Sequence, residues 1–296
     1  MNANEIKAYS NGKKNGVKVF VCGSYEALSK KAATILAGAV ANAKASNATA
    51  DSTLKLGVYT AQTTSDANED KDGQNKTETT FFASAVDADG NVYVGTNEGV
   101  WSFTADGAQR WSTSGINVTE RGSFAINGNV LYAALKKTDG VAAIDMSNGN
   151  INWKTAKGSN DSYFPTIGPD GTIYYTSKGD QKVFAINPDG TLKWETEKIA
   201  ALIYTNVAVS KDGKLYTGTQ ANVGETGSKQ LLTIDAATGS YTMEASDQIM
   251  SAFTFGPDAR VYFGTVGKNL CTIETAGPAD SWCMRGGNIQ GTNSLK

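Results

Sequence analysis

From residue 81 onward the chain is a succession of short runs in which apolar and polar positions alternate, each four to six residues long and bounded by Gly, Pro, Asn or Asp. Alternation with a period of two describes strands with one face in a core and the other facing outward. The stretch 163–196 shows the unit most plainly. Its runs 163–168, 172–177, 182–187 and 191–196 are joined at Pro169-Asp170-Gly171 and at Asn187-Pro188-Asp189-Gly190. In each turn Pro presets φ, the Asp side chain caps the bend, and Gly accepts positive φ, so these are hairpins between antiparallel strands. The first eighty residues differ: 17–22 reads as a strand and 54–59 as another. Between them, 25–44 carries Leu28, Ala32, Ile35, Leu36, Ala39 and Val40 at helical spacing. That order predicts a small α/β (βαβ) unit over 1–62. Residues 63–80, rich in Asp, Asn, Thr and Lys without apolar period, read as a linker.

The strand pattern repeats with a fixed beat. Tyr93, Tyr132, Tyr174, Tyr216 and Tyr262 each follow an Asp-Gly, Asn-Gly or Asp-Ala turn and are separated by 39, 42, 42 and 46 residues. A second marker, Trp111, Trp153, Trp194, Tyr241 and Trp282, keeps spacings of 42, 41, 47 and 41. Two markers in phase five times predict a mainly β chain: a five-bladed β-propeller of four-stranded blades over 81–296. The first blade spans 81–114 and the last 250–284, with Trp282 buried where the two meet. A β-sandwich offers no reason for Tyr and Trp to recur together. Because the same aromatics occupy the same place in every unit, they are expected to pack blade against blade and not to bind a ligand.

The sequence Asp-Gly-x-x-Tyr-x-Gly-Thr, followed by an apolar strand, an Asp-Gly turn and a strand ending in Trp, stands at 89–111, recurs at 170–194 with Thr-Ser in place of Gly-Thr, and begins again at 212–218. It resembles the pyrroloquinoline-quinone-like repeat β-propeller family. The stretch 277–292 is similar to the Trp-Pro-Met-x-x-x-Asn-x-x-x-Thr tail that closes many secreted members, with Cys283 in place of Pro. The resemblance implies the fold. Members that hold a quinone have more blades, a calcium-binding acid set and stacking Trp residues, which five units do not supply, so no cofactor is expected. Residues 25–33 and Leu56-Gly57 resemble the opening of glucosamine-6-phosphate deaminase-type sugar isomerases. Where those enzymes have a Gly-containing phosphate loop, this chain has Tyr59-Thr60-Ala61-Gln62-Thr63.

Composition narrows the chemistry. There is no His, so Ser-His-Asp and Cys-His nucleophile pairs and His-ligated zinc or haem are excluded. With 27 basic against 29 acidic residues, the formal net charge of -2 lacks the basic excess that a nucleic-acid surface requires. The longest apolar stretch, 32–43, is too short to span a membrane. Cys22, Cys271 and Cys283 show no CxxC spacing. At most one disulfide forms, with Cys271 and Cys283 the candidate pair, and the reading adopted is three buried or unreactive thiols. Asn68, Asp70 and Asp72, followed by Gly73, present oxygens at alternate positions as a calcium loop does. The first position is Asn where Asp is usual and the position that should carry a Glu holds Thr79, so a solvated acidic linker is the preferred reading and the calcium site the alternative.

Binding is expected on the face where the links between blades and the second hairpin of each blade emerge. This face receives Glu120, Arg121, Tyr163, Tyr204, Asn206 and Met250 together with loops 136–139, 178–180 and 221–229, the last containing Glu225. Arg121, Tyr163, Tyr204, Asn206 and Glu225 are the candidate ligand contacts, suited to a sugar or a protein loop. The expected function is a non-catalytic recognition or scaffold protein with a carbohydrate or protein partner, outside the cell or on a cell or virion surface. The alternatives are a decoration protein of a virion or cell-surface assembly anchored by the N-terminal unit, and an enzyme derived from a sugar-phosphate isomerase.

Overall fold

A computed structural model describes residues 7–9, 19–21, 81–119, 124–136, 140–158, 162–199, 201–220, 231–244, 246–249, 251–285 and 287. The chain divides into two compact units, Met1–Val58 and Tyr59–Lys296. In the first, β1 (Lys7–Tyr9) pairs antiparallel with β2 (Val19–Val21), which lies inside the strand expected at 17–22. The sequence reading did not mark β1. The helix at 25–44, the strand at 54–59, the linker and the candidate calcium residues Asn68, Asp70 and Asp72 fall outside the described residues.

The second unit is all antiparallel β among the described residues, in five successive sheets. The first holds β3 (Phe81–Val86), β4 (Val92–Thr96), β5 (Gly99–Phe103) and β6 (Gln109–Ser114). The second holds β7 (Phe124–Asn127), β8 (Val130–Ala134), β9 (Val141–Asp145) and β10 (Ile151–Lys154). The third holds β11 (Ser162–Ile167), β12 (Ile173–Ser177), β13 (Lys182–Ile186) and β14 (Leu192–Glu195), within about a residue of the predicted runs. In the fourth, β15 (Leu202–Ile203) and β16 (Ala208–Val209) both pair with β17 (Lys214–Gln220), followed by β18 (Leu231–Asp235) and β19 (Tyr241–Glu244). The fifth holds β20 (Thr254–Phe255), β21 (Arg260–Gly264) and β22 (Leu270–Glu274). With β15 and β16 counted as two pieces of one strand, strands that neighbour in sequence neighbour in each sheet, the meander order a propeller blade requires.

The recurring aromatics fasten one sheet to the next. The Trp111 indole N–H donates to the carbonyl of Met146 (2.9 Å), Trp153 to that of Pro188 (3.0 Å), and Trp194 to that of Ala236 (2.9 Å). Each acceptor lies in the last hairpin of the following sheet, and each ring covers a glycine there: Gly149, Gly190 and Gly239. All three have positive φ, and a Cβ would sit 2.7–2.8 Å from the indole, so both backbone and space demand Gly. Within the sheets the second-strand Tyr packs on the same Trp, with centroids 5.7 Å apart for Tyr93–Trp111 and 5.8 Å for Tyr132–Trp153 and Tyr174–Trp194. In the first three sheets both markers thus serve packing, with Trp153 half-buried, whereas Tyr241 and Tyr262 in the last two sheets are half-buried and make no such joint among the described residues.

The fifth marker departs from this scheme. Trp282 keeps the spacing but lies in no strand. The segment 277–284 crosses the ends of earlier sheets instead, with the Ile167 N–H donating to the Trp282 carbonyl (2.8 Å) and the Val209 N–H to that of Cys283 (2.8 Å). Trp282, 2% exposed, joins the apolar cluster of the first three sheets, while Cys283 and Met284 join that of the last three. The expected burial is present, but its setting is the third sheet's backbone. The fifth sheet has three strands among the described residues, and β22 alternates exposed and half-buried where third strands elsewhere are largely buried.

Cys271 and Cys283 are free thiols. Burial pushes the Cys283 thiol up to about 11, whereas Cys271 is half-buried. A maleimide or disulfide reagent at mildly alkaline pH is expected to label Cys271 in the native protein and to reach Cys283 only after denaturation, as read by peptide mass mapping. Labelling of native Cys283 at the same rate would show that its cover opens readily.

Asp87 illustrates how a turn is locked. Its carboxylate accepts from the Tyr93 hydroxyl (2.8 Å), the Asn91 amide (2.9 Å) and the backbone N–H groups of Asn91 (2.8 Å) and Asp89 (3.0 Å). Burial alone would raise its pKa; these donors outweigh it and hold the carboxyl below its usual value. A carboxyl depressed by folding stabilises above the unfolded pKa and loses that contribution as pH falls through the folded one. Asp87→Asn is therefore expected to cost about 1–3 kcal/mol at neutral pH and progressively less below about pH 4, measured by denaturant titration. An equal cost at both ends of that range would mean that the charge is irrelevant.

Candidate functional site

The third sheet carries the cluster to which the predicted face contributes most. Tyr163 and Phe164 lie at the start of β11, Tyr204 follows β15 in the break before β16 of the fourth sheet, and Lys178 sits in the hairpin after β12. Arg285 follows the crossing segment. The Tyr163 and Tyr204 rings meet edge to face with centroids 6.1 Å apart, and Tyr163 and Phe164 lie 6.2 Å apart. The Lys178 ammonium stands 5.3 Å from the centre of the Tyr204 ring, and the Arg285 guanidinium 4.3 Å from that of Phe164. Three rings in a row therefore carry a cation at each end, each attracted to the negative ring face.

Local sequence explains the arrangement. Phe164 has φ +34°, a left-handed value that a residue preceding proline, here Pro165, adopts only under constraint. The pairing of β11 with β12 shifts register between Tyr163 and Thr166. Such a bulge re-aims side chains, here bringing Tyr163 and Phe164 into one row where a regular strand would send them to opposite faces. Tyr163 is fully buried and Phe164 nearly so; Tyr204 and Lys178 are half-buried and Arg285 exposed. A ligand would meet Lys178, Tyr204 and Arg285, with Tyr163 as their support.

Of the five expected ligand contacts, Tyr163 and Tyr204 are brought together. Asn206 lies elsewhere: it is 0% exposed, its Oδ1 accepts from the Phe253 N–H (2.8 Å) and its amide donates to the Phe253 carbonyl (3.0 Å). The carboxamide thus pairs with the backbone leading into the fifth sheet as another strand would. Arg121 and Glu225 lie outside the described residues. Lys178 comes from the loop 178–180 that was expected on this face, whereas Phe164 and Arg285 were missed by the sequence reading; the Phe-Pro pair was the one available signal for them.

On the outer side of the Lys178 hairpin lies a cleft of about 410 Å³, whose lining includes Lys157, Asp180, Lys182, Phe184, Glu195 and Lys198. Glu195 bridges Lys157 (3.2 Å) and Lys182 (2.5 Å), and the Lys182 partner first, with Lys157, holds its carboxyl below the usual range against the effect of burial. A second cleft of about 360 Å³ at the opposite end of the sheets contains the Asp170–Lys193 ion pair. Among the described residues no three His, Cys, Asp or Glu side chains are placed to hold a metal, and no helix is long and apolar enough to cross a membrane.

A family model described as outer membrane protein assembly factor BamB matches residues 69–189 and 96–249, together more than half of the chain. None of the curated proteins matches. Among solved structures, the computationally designed Ika8 protein is similar with TM-score 0.53 and 17% identity, over 69% of this chain and 60% of that one. The chain thus spans about 60% of that protein's length. A chain of the mitotic checkpoint complex gives 0.51 and 15%, over 71% and 68%. A catalytically inactive virginiamycin B lyase from Staphylococcus aureus with quinupristin gives 0.50 and 16%, over 69% and 72%. At such identities the likeness is one of fold.

Proposed function

Because the chain belongs to the pyrroloquinoline-quinone-like repeat β-propeller family, that of the assembly factor BamB, we propose that it is a non-catalytic recognition module that binds a protein partner. In this reading the five sheets are five blades, and the partner docks where the inter-blade links and second hairpins emerge. The observation that carries it is the row Lys178–Tyr204–Tyr163–Phe164–Arg285, in which the half-buried Tyr204 ring and the two cations are presented on a rigid support. Half-exposed Tyr and Arg are the side chains that most often anchor protein interfaces, since they offer large contact area for little lost freedom. A protein is preferred to a carbohydrate because the family's description names an assembly factor. The surface of a cell or virion remains the proposed setting.

The test begins with a displayed peptide library selected on the full chain. The best ligand is expected to bind Tyr204→Ala and Arg285→Ala about tenfold or more weakly, and Lys214→Ala, at the other end of the fourth sheet, like wild type. Ligands indifferent to both substitutions would remove this surface from the proposal. Selective binding of neutral oligosaccharides with no peptide selected would replace the protein partner by a glycan.

A further inference from the structure

The cleft on the outer side of the Lys178 hairpin has a chemistry of its own. Its two walls are fixed. On one, the Lys157 carbonyl accepts from the Tyr175 hydroxyl (2.7 Å), and a Cβ on Gly140 would lie 1.9 Å from that same oxygen, so the link after β10 is pressed against the second sheet. On the other, the Ser177 hydroxyl holds the Asp180 carboxylate (2.9 Å) and the Asp180 N–H returns a bond to Ser177 Oγ (3.3 Å). Between them Glu195 occupies both Lys157 and Lys182. That leaves Lys198, exposed on the rim and without an ion-pair partner among the described residues. Among the described residues the lining thus holds three ammonium groups against two carboxylates. Glu197 acts on Lys182 from outside the cleft, while Lys178 adds positive charge across the hairpin.

We propose that this cleft receives a single carboxylate side chain from an acidic, extended segment of the protein partner, which pairs with Lys198 while its neighbouring residues lie across the hairpin on Tyr204. The inference rests on the protein-binding reading of this face. Two features favour a carboxylate. A surplus of one charge suits a monoanion, whereas a phosphate dianion would face Asp180 and Glu195 with excess repulsion. An ammonium is a compact point charge that takes a lone carboxylate without needing the fork geometry that phosphate sites draw from Arg. The hairpin 177–182 borders both the cleft and the aromatic row, so alternate residues of one extended strand reach both sides.

The probe is an acetylated hexaglutamate amide titrated calorimetrically into the full chain, in about 20 mM and then about 200 mM salt, since an exposed ion pair weakens with screening. Lys198→Glu is expected to weaken binding about tenfold or more and Lys198→Arg to retain most of it, while Lys214→Glu leaves it unchanged. Equal binding by the Lys198→Glu and Lys214→Glu variants would overturn the proposal, as would a sulfated oligosaccharide displacing the peptide from the Lys198 site. Circular dichroism of each variant checks that the fold is intact, and Lys198→Gln provides a milder change should reversal unfold the protein. Two failures are distinguishable. If Tyr204→Ala abolishes binding of the library-selected ligand while hexaglutamate ignores Lys198, the face stands and the carboxylate subsite falls. If hexaglutamate depends on Lys198 but no ligand depends on Tyr204 or Arg285, the aromatic face falls and the anion cleft remains without its proposed partner.

Discussion

Trp194→Ala is expected to destabilise the second unit by about 3–5 kcal/mol, as large-to-small changes of core aromatics do, and to lower its thermal midpoint by about 6–20 °C at this size. The indole is 9% exposed, donates to the Ala236 carbonyl and packs on Tyr174. Its removal opens a hollow between the third and fourth sheets and leaves the Ala236 carbonyl only the long bond from the Tyr174 hydroxyl (3.5 Å). Gly239→Ala attacks the joint from the other side: its φ is +75° and a Cβ would lie 2.7 Å from the indole. The left-handed backbone costs about 1–2 kcal/mol and overpacking about 1–3 kcal/mol. In a Trp194→Ala background only the backbone cost should persist, so the double mutant is less destabilised than the sum by about 1–3 kcal/mol. Additive losses in calorimetric scans would show that the ring does not cover this glycine.

Asn206→Ala is expected to cost about 2–6 kcal/mol, because it leaves the Phe253 N–H and carbonyl without their partner in a buried setting, each such group carrying a penalty of about 1–3 kcal/mol. Asn206→Asp should be at least as damaging: a carboxylate can accept from the Phe253 N–H but has nothing to donate to its carbonyl, and it brings charge into a buried position. Both effects should appear in denaturant midpoints without ligand. A variant of unchanged stability that binds the selected ligand poorly would return Asn206 to the recognition surface.

The contrast between Tyr174 and Asn206 shows what can be read in such a chain. Tyr174 was legible because each blade-like unit must solve the same packing problem, so the same ring recurs beside the same turn and announces itself by period. Asn206 solves a problem met at one place. In the fourth sheet the inner strand is broken into β15 and β16, and the side chain in the break supplies the pairing that backbone gives elsewhere. An isolated Asn in a link reads as surface, and local sequence holds nothing to correct that. Trp282 misleads in the opposite way: its spacing matches the period, yet Thr275-Ala276-Gly277-Pro278-Ala279-Asp280-Ser281 before it lacks the alternation a strand needs. Phe164 and Arg285 lie 121 residues apart, and their meeting depends on a register shift in β11 that composition does not encode.

The crossing segment also sets an order of events during synthesis. The Trp joints reach forward 35, 35 and 42 residues, so each closes soon after the next sheet has been made. The bond from Ser281 Oγ to the Ile167 carbonyl spans 114 residues, and that from Ser210 Oγ to the Gly277 carbonyl spans 67. Such distant contacts form late, because chain entropy has to be spent before they contribute. The third and fourth sheets therefore emerge from the ribosome and assemble with the place of Trp282 still vacant and the Ile167 and Val209 N–H groups still facing water. Throughout that interval the nascent chain exposes a hydrophobic hollow, the kind of surface that chaperones and proteases recognise, and it is sealed only when residues 277–284 arrive.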